Sequence, residues 1–149
     1  MAEMIIVPLA PEHEADWRRL YRGYRAFYKF PDDESVLDRL WAWLHDPAHV
    51  VEGLVAVQDG RVVGLAHFRP EPSPSRAVEV GFLNDLFVDP DARGAKVGEA
   101  LLAELRRIAR SRGWPFVRWI TADDNYRART LYDRVAKKTA WNYYEMAVD

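Results

Sequence analysis

The sequence contains no cysteine, which excludes disulfides, a thiolate nucleophile and every cysteine-ligated zinc site. It also lacks any apolar run near the roughly 18 residues that a membrane-spanning helix needs, so no membrane partner is expected. Met-Ala-Glu at the N-terminus leads within a few apolar residues to Pro8, unlike a secretory leader, and a cytoplasmic location is the expectation. Charge of one sign is missing too: 21 Lys and Arg stand against 23 Asp and Glu, a formal net charge of −2. No bulk positive field is therefore available to hold nucleic acid. The nucleophile elbow, both glycine-rich nucleotide motifs and the helical zinc motif H-E-x-x-H are absent. His45 and His49 are four apart, but Pro47 between them breaks the helix that would align them, so no metal site is expected.

What remains is an ordinary globular composition. With 149 residues, 49% of them hydrophobic, and six tryptophans, the chain is expected to fold as one domain around one core. Ile5 to Leu9 reads as a strand closed by prolines. From Glu12 to Lys29, Trp17, Leu20, Tyr21, Tyr24, Phe27 and Tyr28 recur at three and four residue spacing, the face of an amphipathic helix. A second helix, capped by Asp33 or Ser35, carries Val36, Leu37, Leu40, Trp41 and Leu44 and stops at His45-Asp46-Pro47. Leu54 to Val57 and Val62 to Phe68 flank an Asp-Gly hairpin turn, and Pro70 to Pro74 reads as an exposed loop. Val78 to Val88 is a further strand, Val97 to Arg112 a helix ended by Gly113, Phe116 to Thr121 a strand, about Asn125 to Ala136 a helix, and Trp141 to Val148 a last strand. The order β-αα-βββ-α-β-α-β predicts an α/β or α+β domain around one mixed sheet.

The chemistry concentrates in the second half, where the charge shifts from −4 over residues 1–75 to +2 over residues 76–149. A strand ending D-L-F-V-D-P runs into Arg93-Gly94-Ala95-Lys96-Val97-Gly98 and straight into a helix. Small residues at 94, 95 and 98 let backbone amides approach a ligand, and a helix N-terminus supplies free N–H groups and a positive dipole end. Together they suit a phosphate or pyrophosphate, with Arg93 and Lys96 adding charge. In the helix after the next strand, Asn125, Ala128 and Tyr132 fall on one face at i, i+3 and i+7.

In these residues the chain resembles the GNAT superfamily of acetyl-CoA-dependent N-acyltransferases, as a small bacterial-type member near the yeast histone and polyamine acetyltransferase branch. The resemblance covers nearly the whole chain: the strand and two helices, the Asp-Gly hairpin, D-L-F-V-D-P, R-G-A-K-V-G and N-Y-R-A-R-T-L-Y-D-R. It implies one N-acetyltransferase domain over residues 1–149, with a mixed, mostly antiparallel sheet of six to seven strands and about four helices. Acetyl-CoA is the implied cosubstrate, with the pyrophosphate at the amides of Gly94, Ala95, Lys96, Val97, Gly98 and Glu99 beside Arg93. The pantetheine arm would lie along the backbone of Leu86, Phe87 and Val88. Asn125 and Ala128 border the cofactor, and Tyr132 is the general acid to the departing thiolate, protonated at neutral pH with an ordinary value of about 10. The family pattern has glycine where Lys96 stands, which a lysine satisfies if its dihedrals are helical or extended.

The base is less defined. Where the polyamine branch has a glutamate before the residue matching Asp85, this chain has Asn84, which leaves Glu79 or Asp85, acting through water. The expected reaction is direct transfer of acetyl to a primary amine of a small molecule or peptide, within a ternary complex. A catalytically weak acyl-CoA-binding or sensing module is the alternative. Arg106, Arg107, Arg110 and Arg112 read as a solvated helix face rather than a nucleic-acid site. Arg18, Arg22 and Arg25 are candidates to hold an acceptor carboxylate, and the family's habit of dimerising raises a homodimer involving Trp141 to Tyr144.

Overall fold

The computed structural model describes residues 3–93 and 96–148. Its elements are β1 (Met4–Pro8), α1 (Glu14–Phe27), α2 (Glu34–Leu44), β2 (Glu52–Gln58), β3 (Arg61–Ser73), β4 (Val78–Val88), α3 (Val97–Arg112), β5 (Val117–Arg118) and α4 (Tyr126–Val135). The five strands form one mixed sheet in chain order, antiparallel from β1 to β4 and parallel between β4 and β5. Among the described residues this is an α+β domain of five strands rather than six to seven. Among the described residues no helix is long and apolar enough to cross a membrane.

The sheet is buried on both faces, so its inner strands alternate between two cores instead of between core and water. Val55, Val62, Leu65 and Phe87 pack with Trp17, Leu20 and Leu37 under α1 and α2. Leu54, Ala56, Ala66, Phe68 and Leu83 pack with Leu101 and Leu105 under α3. Two bulges set the phase. In β3 the register steps from Ala56 opposite Gly64 to Val57 opposite Val62, which inserts Val63. In β4 Phe68 faces Leu83 but His67 faces Asp85, which leaves Asn84 as the extra residue.

Three sequence expectations change. Pro70 to Pro74 does not form a loop: β3 runs on to Ser73, with Pro70 opposite Gly81 and Pro72 opposite Glu79. Both prolines are tolerated because β2 ends at Glu52, opposite Phe68, so beyond that point the β2 side of β3 has no acceptors that need an N–H. The strand expected over Phe116 to Thr121 is confined to Val117–Arg118. Trp141 to Val148 forms no strand; Trp141, Tyr144, Met146 and Val148 are all more than four-fifths exposed. Apolar alternation in that segment meets no neighbouring edge in this fold, and alternation alone does not create a ladder.

Helix ends follow the capping chemistry. Asp33 caps α2 by accepting from the Ser35 amide at 3.0 Å. His45 closes α2 with its ring nitrogen 2.9 Å from the Trp41 carbonyl, and His49 accepts from the Val51 amide, so both rings serve local turns. α1 ends in a Schellman motif: Phe30 donates to the Arg25 carbonyl at 2.9 Å and Lys29 to Ala26 at 3.0 Å, with the Arg25 guanidinium over the Phe30 ring. The motif requires a left-handed residue, and here a lysine takes it, at φ 63°. That conformation costs a non-glycine residue about 1–2 kcal/mol, partly offset by the chain entropy that glycine would lose. Lys29→Gly is therefore expected to stabilise the protein by about 1 kcal/mol, read as a higher urea midpoint at unchanged slope; an unchanged or lower midpoint would contradict the strain.

Candidate active site

The parallel pairing of β4 with β5 lasts only from Gly81 opposite Val117 to Phe82 opposite Arg118. Past Phe82 the two chains part, and the β5-facing edge of β4 from Leu83 to Val88 has no strand beside it. Gly81 starts the paired stretch at close quarters: a Cβ there would come within 2.7 Å of the Trp114 ring. Peptide groups along an unpaired inner edge need a partner, and an extended amide-containing ligand provides one. Leu86 and Val88 face the α3 and α4 side, whereas Phe87 is buried against α1, where its ring meets Tyr24 edge-on at 6.1 Å.

At the end of the cleft stands the N-terminus of α3, whose first helical bond runs from the Ala100 amide to the Lys96 carbonyl. The amides of Val97, Gly98 and Glu99 therefore have no helical acceptor and point out along the dipole. Lys96, the N-cap, is left-handed at φ 61° and ψ 29°, neither helical nor extended as the sequence suggested. The backbone keeps the conformation that glycine favours and lysine bears the strain. Gly98 has a second role, since a Cβ there would lie 3.1 Å from Leu131 on α4, so it sets the approach of α3 to α4. Glu99 reaches Arg134 of α4 at 3.9 Å, and Val97 is buried in the core. Gly94 and Ala95 lie outside the described residues. Arg93 is exposed, with its guanidinium 5.9 Å from the Phe87 ring centroid. It lines an open cavity of about 440 Å³ with Arg19, Gly23, Phe27 and Pro90.

Across the cleft, α4 begins at Asn125, whose side chain accepts from the Ala128 amide at 3.3 Å, while its amide group is 3.5 Å from the Tyr28 hydroxyl. Tyr132 packs edge-on against Trp119 at 5.2 Å. Burial, with a smaller contribution from Tyr28, pushes its phenol up to about 12, not the unperturbed 10. From Tyr28 an aromatic ladder climbs α1, through Tyr24 at 4.9 Å and Tyr21 at a further 5.2 Å to Trp17 at 5.6 Å.

The middle of the ladder faces Asp85, a group of contacts that sequence reasoning missed. One oxygen of Asp85 accepts from the Tyr21 hydroxyl at 3.0 Å and lies 2.8 Å from Nδ1 of His67, and the Tyr24 hydroxyl faces the same carboxylate. The Nε1–H of Trp17 donates to Nε2 of His67 at 2.9 Å. Burial pushes the Asp85 carboxyl up, but the bonds from His67, Tyr24 and Tyr21 outweigh it and hold the group below its ordinary value. Burial and then the Asp85 charge drive the Tyr21 phenol upward. No motif announces His67; its only signal is a polar residue inside the apolar run Val62 to Phe68.

Glu79 does not join this group. It is exposed, opposite Pro72 while Asp85 is opposite His67, about 17 Å from Asp85 at strand spacing. Arg18 and Arg22 are likewise unavailable to a ligand: Arg18 bonds Glu14, Glu34 and Asp38, and Arg22 holds Glu34 through both oxygens. Among the described residues Arg25 forms no ion pair.

The sequence pattern of the acetyltransferase (GNAT) family matches residues 17–136, which span the ladder, the bulge and α4. The chain belongs to this family. It is an acetyl-CoA-dependent N-acyltransferase by that membership. The D-amino-acid N-acetyltransferase HPA3 of Saccharomyces cerevisiae is 31% identical over 138 residues, covering 91% of this chain and 86% of that protein. A crystal structure described as a probable acetyltransferase superposes with a TM-score of 0.86 at 25% identity, covering 97% of this chain and 98% of that one. The aminoglycoside N-acetyltransferase AAC(6')-Iy, solved with CoA, superposes at 0.81 with 19% identity over 99% and 96% of the two chains, a likeness of fold.

If the cleft binds phosphate through backbone amides, glycine at position 96 removes strain without removing a donor. Lys96→Gly is expected to stabilise the protein by about 1 kcal/mol in urea without weakening coenzyme A binding in calorimetry. A stabilised variant that bound coenzyme A more weakly would assign the phosphate contact to the lysine ammonium.

Proposed function

We propose that this acetyltransferase acts on the α-amine of a small amino acid or a similarly weakly basic amine, by direct attack within a ternary complex. The observation that carries the reading is the cleft that opens where β4 parts from β5, with the free amides of α3 at its far end. The pantetheine arm would run along the Leu86, Phe87 and Val88 backbone, with its pyrophosphate at Val97, Gly98 and Glu99, continuing towards Gly94 and Ala95. Asn125 and Ala128 border it from α4. Without cysteine, no thiol intermediate is available.

Tyr132 is the group we assign to the leaving sulfur. Its phenol, pushed up to about 12, stays neutral through the whole physiological range and can donate. Asp85 is the carboxylate we assign as base on the acceptor side, where Glu79 is out of reach. Because its carboxyl is held low, it is a weak base, and a weak base selects among amines. Freeing a lysine-like amine costs about 4–5 kcal/mol at pH 7, an α-amine only about 1. Arg25, free of ion pairs among the described residues and close enough to be felt at Tyr21, suits an acceptor carboxylate. The name of the yeast relative points to the same class.

The test is coenzyme A release from acetyl-CoA with alanine, glycine and spermidine between pH 7 and 9. The expected result is a higher kcat/KM for the amino acids. A spermidine preference throughout would overturn the acceptor assignment, and acetyl-CoA binding without turnover on any amine would favour a sensing module.

Tyr132→Phe is expected to lower kcat by roughly 10- to 10⁴-fold with little change in acetyl-CoA affinity, since the ring's packing survives. Equal turnover would exclude Tyr132 as the acid. In the wild type, loss of the Tyr132 proton should reduce kcat only as pH approaches about 12.

A further inference from the structure

Among the described residues no lysine or arginine pairs with the Asp85 carboxylate. His67 from β3 and Tyr21 and Tyr24 from α1 supply its neutral hydrogen-bond donors, and Arg25 is the nearby positive charge on α1, acting at Tyr21 without pairing the carboxylate. The carboxylate is not sealed: its side chain remains 16% accessible, against 1% for His67. A buried charge satisfied by neutral donors is held ready for an opposite charge from outside. His67 cannot supply that charge. Its Nε2 must carry a lone pair to accept from Trp17, so its proton is on Nδ1, facing Asp85. Protonating Nε2 would set two N–H groups against each other in a buried site.

We propose that the Trp17–His67 bond locks a neutral histidine that positions Asp85 as a permanent carboxylate, and that Asp85, walled by Tyr21 and Tyr24, receives the acceptor as its ammonium ion. This rests on the acetyltransferase reading above. The rings of the ladder add the π faces that favour a cation. His67 and Trp17 are positioning residues, and Asp85 contacts the substrate. The balance is R–NH3⁺ plus acetyl-CoA giving R–NH–CO–CH3, HS-CoA and H⁺. The bound ammonium loses one proton to solvent, nitrogen bonds to the acetyl carbon, the carbon–sulfur bond breaks, and nitrogen's second proton balances the one that Tyr132 gives to sulfur.

The decisive measurement does not need turnover. Alaninamide, an α-amine with no carboxylate, is titrated by calorimetry into the full-length protein saturated with coenzyme A, at pH 6.5, in buffers of different ionisation enthalpy. Binding as ammonium releases no proton, whereas binding as free amine releases about one, because an α-amine near 7.7–8.0 is protonated at that pH. Asp85→Asn should weaken alaninamide at least about tenfold, the scale of a charge-assisted hydrogen bond. His67→Leu should weaken it comparably. His67→Asn, which places an N–H where Nδ1–H was, should restore most of the affinity. Nitrogen-15 spectra at pH 6.5 should show His67 carrying its proton on Nδ1 alone, with Nε2 as the acceptor from Trp17. Release of one proton, failure of alaninamide to bind, or a cationic His67 in the wild type would each overturn the proposal. Proton-neutral binding in a protein that acetylates no amine would instead sink the acetyltransferase acceptor reading and leave the ammonium seat standing.

Discussion

One inserted residue, Asn84, determines which side of the sheet the chemistry faces. Side chains alternate along a strand, so Leu83, Asp85 and Phe87 would share a face in a regular β4. The bulge breaks that parity. Leu83 faces α3, while Asp85 and Phe87 turn to α1, with Leu86 and Val88 back on the α3 and α4 side. An Asp85 carboxylate aimed into the core beneath α3 would meet Phe68, Leu101 and Leu105; on the α1 side it meets His67, Tyr21 and Tyr24.

The cleft and the acid site are consequently two sides of one strand. Towards α3 and α4, β4 presents an unpaired backbone edge, apolar side chains and the free amides of a helix. Towards α1 it presents a carboxylate in a wall of aromatic rings. The ladder from Trp17 to Tyr28 runs along that wall and ends against Asn125 at the start of α4, so the helix bearing Tyr132 is braced on the helix bearing Tyr21. Asp89 fastens the same corner: Arg19 donates to it at 2.9 Å and the Asp91 amide at 3.0 Å, which ties the end of β4 to α1 where the chain turns towards α3. The Asp89 side chain is buried, and its charge is paired by the partly exposed Arg19 rather than left to a ligand.

Strain is distributed unevenly. Lys29 and Lys96 both occupy left-handed positions, one closing α1 and the other opening α3. Each keeps a backbone geometry that its side chain disfavours: at Lys29 a Schellman pair specifies it, and Lys96 stands at the entry to α3. At Gly64 and Gly98 the requirement is room instead, since a Cβ would meet Val97 at 2.7 Å or Leu131 at 3.1 Å.

The sequence by itself determined what depends on neighbours along the chain. Three and four residue spacing fixed the faces of α1 and α3, Asp33 and Gly113 marked helix ends through their capping chemistry, and the Asp59-Gly60 turn marked the β2–β3 hairpin. The Arg93 to Gly98 run pointed to a phosphate cradle for the same reason, because a helix N-terminus is a local object. Only the tertiary structure decided what depends on pairing. The prolines at 70 and 72 lie in a strand because β2 ends early, and the alternating segment after Trp141 forms none because it meets no edge. His67 and Asp85 are 18 residues apart in sequence, and Trp17 and His67 50. Their meeting requires the register of β3 on β4 and the one-residue slip at Asn84. A strand's local pattern shows that its faces alternate but not where a partner strand breaks that alternation.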